Sequence, residues 1–170
     1  MKRAITLVMT VLLISTLLVG CDSKSGESSE NIKIGLNYEL SGNVATYGQS
    51  SVKGIEFAID EINKAGGVLG KQIELVKVDN KSDSAEAANV STKLATRDKV
   101  VVILGPATSG DAKAASPAAM QNKIPLISSS ATSDDFTVDS NGKVRDYIFR
   151  TCFNDSFQGI TMANFAFSDL

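Results

Sequence analysis

Histidine and tryptophan are absent from the 170 residues, cysteine occurs twice and proline three times. Without histidine, Ser-His-Asp and Cys-His catalysis and any histidine-ligated metal site are excluded. Cys21 closes an amino-terminal leader, so Cys152 has no partner for an internal disulfide or a zinc cluster. Within the strand-like YIFRTCF it reads as a small buried hydrophobe. Positive charge is also scarce. Of 17 basic residues Lys2 and Arg3 fall in the leader, leaving 15 against 19 acidic ones and a formal charge of −4 for the rest. No basic stripe is present, which argues against a nucleic-acid partner. The apolar run from Ala4 to Val19 is shorter than the roughly 20 residues a bilayer span requires.

What is there begins with that leader. Met1-Lys2-Arg3 followed by an apolar stretch has the form of a secretory signal over residues 1–20. Leu18-Val19-Gly20-Cys21 resembles the lipobox of bacterial lipoproteins, which implies lipidation of Cys21 and an extracytoplasmic, membrane-tethered protein. An uncleaved anchor and a conventionally cleaved signal are the alternatives. Residues 21–31, rich in Ser, Gly and Glu, read as a flexible spacer.

From Ile32 onward strand-like and helix-like segments alternate. The strands are expected at Ile32–Leu36, Ile73–Val78, Lys99–Leu104, Ile124–Ile127 and Tyr147–Arg150. The third, with Val100 to Leu104 all apolar, has the pattern of a strand buried on both faces. Helices are expected at Tyr47–Ala65, with Val52, Ile55, Ile59 and Ile62 at helical spacing, and at Asp83–Thr96, capped by Ser82 or Asp83. Two more follow at Asp111–Gln121, where Pro117 sits in the first turns or makes a kink, and at Ser156–Phe167. This order implies an α/β fold, a mostly parallel sheet with helices on both faces. In such sheets ligands bind beyond the carboxyl ends of the strands.

Four loops lie there: LSGNVATYG, DNKSDS, GPATSGD and SSSATSDD. The last two offer hydroxyls, glycines and exposed N–H groups, and GPATSGD opens a helix whose dipole favours an anion. Ordinary helix capping explains the same residues. Ser130 and Thr132 offer donors and acceptors at close range, suited to the α-ammonium and α-carboxylate of an amino acid. Other motifs fail. AGGVLGKQ lacks the first glycine and the terminal Ser/Thr of a P-loop and reads as a turn. DNKSDSAEAANV lacks the glycine and terminal glutamate of a calcium loop and reads as a helix cap. An enzyme on this sheet is disfavoured, because no G-x-G-x-x-G follows the first strand and no carboxylate pair is placed for acid–base work. No cofactor is implied.

The segments IKIGLNYELSGNVATYGQSSVKGIEFAIDEINKAGGVLGKQIELVKVDN, GPATSG, PLISSSATS and FRTCFNDSFQG together resemble the amino-terminal part of type I periplasmic binding proteins. The resemblance is to the leucine/isoleucine/valine-binding group, which serves branched-chain amino acid ABC importers. It implies a lobe over residues 32–154 and a crossover into a second lobe over 155–170, so that the chain reads as a fragment. It further implies that Ser109 and the adjacent helix start hold a ligand carboxylate, that Ser130, Ala131 and Thr132 contact carboxylate and ammonium, and that Tyr47 borders the ligand. Asp155, near the first crossing, is expected to pack at the hinge or touch ligand. The implied partners are an amino acid, the permease subunits of an importer and, through Cys21, the membrane. A ligand sensor signalling to a partner receptor is the alternative function.

Overall fold

The computed structural model describes residues 31–169; the leader, Cys21 and nearly all of the spacer lie outside the described residues. The chain runs β1 (Ile32–Tyr38), α1 (Ala45–Lys64), β2 (Ile73–Asp79), α2 (Ser84–Lys93), a π-helical turn (Leu94–Asp98), β3 (Val102–Leu104), α3 (Ser109–Asn122), β4 (Leu126–Ser128), β5 (Ile148–Arg150) and α4 (Asp155–Asp169). The strands form one parallel sheet in the order β2-β1-β3-β4-β5. Reversal of direction at β1 puts its carboxyl end and that of β3 side by side at the switch point, where the crevice of such sheets opens.

Alternation along β1 assigns the helices to faces. Leu36 and Tyr38 share a cluster with Val52 and Ile55 of α1, whereas Gly35 and Asn37 point the other way. The Asn37 amide donates to the Ala87 carbonyl (2.8 Å) and the Ser91 hydroxyl (3.0 Å) of α2. That second face carries the larger core. Val90 and Leu94 meet Ala112, Ala115 and Ala119 of α3 over Ile103, Leu126 and Ile148, with Phe136 closing the edge. The small side chains of α3 allow it to lie close against α2 and the sheet.

The sequence-based boundaries shift in informative ways. Asp83 caps α2, accepting from the Glu86 N–H at 2.7 Å. The expected strand at 99–104 shrinks to 102–104, because Lys99 turns left-handed (φ 55°) to end the π-helical turn. Nor is that segment buried throughout: Val100 and Ile103 pack in the α2/α3 core, but Val101, just before the strand, is 57% exposed. Pro117 lies well inside α3 rather than in its first turns. There it removes one N–H from the helical ladder, while the neighbouring Ser116 hydroxyl bonds the Ala112 carbonyl at 2.7 Å. Cys152 is half-buried just past β5, not a core residue within it. AGGVLGKQ is a tight turn closed by the Val68–Lys71 bridge. Among the described residues no helix is long and apolar enough to cross a membrane.

Candidate ligand-binding site

The rim at the strands' carboxyl ends is sewn together by short polar side chains. Ser128, the last residue of β4, donates its hydroxyl to the Pro106 carbonyl (2.6 Å) and accepts from the Ala131 N–H (3.0 Å), so the chain turns sharply after the strand. The Ser130 hydroxyl reaches the Ala107 carbonyl at 2.8 Å, and the Ser109 hydroxyl accepts from the Ser133 N–H at 3.1 Å. The loops after β3 and β4 thereby become one wall. Gly105 is required in that wall: its φ is +94°, and a Cβ there would stand 2.2 Å from the Asn37 carbonyl. From β5, Arg150 donates to the carbonyls of Ala131 (3.0 Å) and Ser133 (2.9 Å) while lying over the Phe136 ring.

The opposing wall is the start of α1. Asp79 at the end of β2 accepts from the Leu40, Ser41 and Lys81 N–H groups and from the Ser41 hydroxyl, pinning the loop that leads into this helix. Partial burial pushes the Asp79 carboxyl up, but the Ser41 hydroxyl and the three N–H groups outweigh it and hold it below the usual range. Gly48 allows α1 to rest on the end of β1, where a Cβ would fall 2.2 Å from the Glu39 carbonyl.

Between the walls lies a cleft of about 360 Å³ lined by Thr46, Tyr47, Ser50, Ser51 and Ser130. Its floor continues into a hydroxyl chain, Ser51 to Ser129 at 3.2 Å and Ser129 to the Tyr38 hydroxyl at 3.5 Å. Burial pushes the Tyr38 phenol up, and hydrogen bonds to Ser129 and Ser51 only partly offset this, so it stays protonated at neutral pH. No lining side chain is charged. Such a cleft meets charge with hydroxyls and backbone dipoles, each hydroxyl able to donate and accept, and suits a ligand carrying both signs. Among the described residues no group of three or more Cys, Asp or Glu side chains is placed to hold a metal ion.

The site residues named from the sequence fall into three sets. Tyr47 and Ser130 come together across the cleft. Ser109, Ala131 and Thr132 stand in the wall behind Ser130. Ala131 is fully buried and spends its backbone on Ser128 and Arg150. Thr132 is half-buried, and its hydroxyl bonds no other described residue. Asp155 lies apart at the exposed start of α4, its N–H donating to the Thr132 carbonyl at 3.0 Å. Sequence reasoning missed Glu39, Ser50, Ser51 and Arg150. The two serines lie on α1 one turn after Tyr47, which helical spacing from that residue would have found.

A family model described as periplasmic binding protein matches residues 31–170. The chain belongs to the periplasmic binding protein family. Among curated members of this family, a Leu/Ile/Val-binding protein of Rhizobium johnstonii, BraC3, is 31% identical over 157 residues, which is 92% of this chain and 41% of that protein. Among solved members, the branched-chain amino acid transporter substrate-binding protein LivJ of Streptococcus pneumoniae, in complex with isoleucine, is 50% identical with a TM-score of 0.76, covering 82% of this chain and 39% of that one. A leucine-binding protein, LivK, of Thermotoga maritima is 32% identical with a TM-score of 0.71, covering 81% and 37%. The chain thus spans about two-fifths of the length of the periplasmic binding proteins it matches.

Proposed function

We propose that residues 32–154 form the amino-terminal ligand-binding lobe of an extracytoplasmic solute-binding protein that captures branched-chain amino acids for an ABC importer. Residues 155–170 would begin the crossover to a second lobe. The observation that supports this reading is the uncharged cleft at the sheet's switch point, whose five lining residues, Tyr47 and Ser130 among them, all carry hydroxyls. It suits a zwitterion, and relatives of 31% to 50% identity bear the names of branched-chain amino acid-binding proteins. In this reading Ser109, Ser130 and Thr132 engage the carboxylate and ammonium, Tyr47 flanks the ligand, and the aliphatic side chain is met by the second lobe. Permease subunits are the transport partners, and lipidated Cys21 tethers the receptor outside the membrane.

Calorimetric titration of the complete protein with leucine, isoleucine and valine tests the reading. Binding at micromolar Kd or tighter, competed among the three, is the expected result; no heat with any of them sinks it. Cys21→Ser is expected to release the protein from the membrane fraction, and unchanged membrane association would defeat the lipid tether alone.

A further inference from the structure

We infer that Glu39 is a positioning residue that couples the two ligand loops, holding the loop after β3 from behind and, through it, presenting Ser130 to the cleft. Glu39 follows directly on β1 and is fully buried. Its carboxylate accepts from the Ala107 N–H, the Thr108 N–H and the Thr108 hydroxyl, all at 3.0 Å. A buried carboxylate survives only when donors meet its lone pairs, and these three do so. They belong to the turn that enters α3, where open N–H groups would otherwise await an anion from the cleft. With those donors committed inward, the incoming ligand is left to the hydroxyls and to the helix start beyond Thr108.

The connection to the cleft is two hydrogen bonds long. Ala107 gives its N–H to Glu39 and takes the Ser130 hydroxyl on its carbonyl at 2.8 Å, and Ser130 lines the cleft. The Glu39 backbone also bears against Gly48 at the start of α1, one residue after Tyr47. Glu39 therefore holds the β3 loop directly and the β4 loop through Ala107, at the foot of the helix that forms the opposite wall. The effect on ligand affinity rests on the amino acid reading above; the coupling of the loops is a property of the ligand-free protein.

Glu39→Gln in the complete protein is the test. The amide keeps the size but turns one acceptor into a donor that faces an N–H group. At a temperature well below unfolding, the Kd for isoleucine is expected to rise about tenfold or more. Hydrogen exchange is expected to accelerate in residues 128–133 as well as 105–109. Asn63→Ala is the control: its amide bonds the Ile73 N–H (2.8 Å) and carbonyl (2.9 Å) at the opposite end of the sheet, so it should lower the melting temperature and leave both readings alone. A Glu39→Gln protein with a lowered melting temperature, a Kd within about twofold of wild type and faster exchange confined to 105–109 overturns the inference. If the wild type binds no amino acid, the ligand reading is what has failed; acceleration in both loops still sustains the coupling, and acceleration in one refutes it. Should Glu39→Gln not fold, Glu39→Asp, which keeps the charge and shortens the reach, carries the same two readings.

Discussion

The two faces of the sheet are built to different degrees of closure. On the α2/α3 side Leu94, Ile103, Leu126 and Phe136 are fully buried, and alanines on α3 bring the helices into close contact. On the α1 side a smaller cluster around Leu36, Tyr38 and Val52 covers the sheet near β1 and β2, while Phe149 stands half exposed further along. Adjacent residues of one strand make the contrast sharp: Ile148 is 2% exposed and Phe149 50%. The candidate cleft opens above the α1 side, where side chains are still accessible.

Truncation at Ile148 and Phe149 tests that contrast most severely. Ile148→Ala in the complete protein should cost about 2–5 kcal/mol in chemical denaturation, since it opens a cavity in a packed core. Phe149→Ala should cost about 1 kcal/mol, as befits a half-exposed ring. Equal losses would mean that the α1 side is as closed as the other in the complete protein.

The rim should respond in affinity rather than stability. Thr132→Ala removes a hydroxyl that bonds no described residue, so folding should be little changed. Isothermal titration should show a loss of about tenfold to hundredfold for whichever amino acid binds, as for a hydrogen bond to a charged ligand worth about 1.5–3 kcal/mol. Unchanged affinity would leave Thr132 a bystander of the turn.

Helix capping comes next in size. Asp83→Ala deprives the Glu86 N–H of its partner at the start of α2 and should destabilise by about 1 kcal/mol, read as a shift of the denaturation midpoint. A larger loss would show that the closed face depends on the seating of α2 and not on its apolar contacts alone.

The smallest effect concerns acid. The Asp79 carboxyl is held below the ordinary carboxylate range in the folded protein, so its contribution is fully present above the unfolded pKa and is lost as pH falls through the lower folded one. Asp79→Asn should lower stability modestly near neutrality and flatten the acid limb of the stability-versus-pH curve, so that the two proteins converge as pH falls. An unchanged limb would assign acid sensitivity to other carboxylates, such as Asp135, which the Ser133 hydroxyl and Lys113 also hold low.

Much of the fold could be read from local pattern. The alternation of strand and helix, the Asp83 cap, the turn at 66–71 and the parallel sheet follow from periodicity and capping chemistry that act within a few residues. Tyr47 and Ser130 were each named as ligand neighbours through family resemblance, and both line the same cleft. The apolar run at 100–104 misled because burial on two faces depends on what covers each face, and Val101 has little above it. Cys152 misled for a related reason: two residues past the strand, it leaves the core behind.

Sequence by itself determined the order and kind of the elements, the exclusion of histidine chemistry and the loops at which a ligand could sit, since each follows from composition or short-range stereochemistry. Tertiary structure alone decided the roles of Glu39 and Arg150. Nothing near Glu39 in the chain indicates that its carboxylate will take the N–H groups of residues 107 and 108, nor does anything near Arg150 point to the carbonyls of 131 and 133. Those pairings exist because parallel β1, β3, β4 and β5 end side by side. A buried charge is stable only where such distant partners converge to satisfy it.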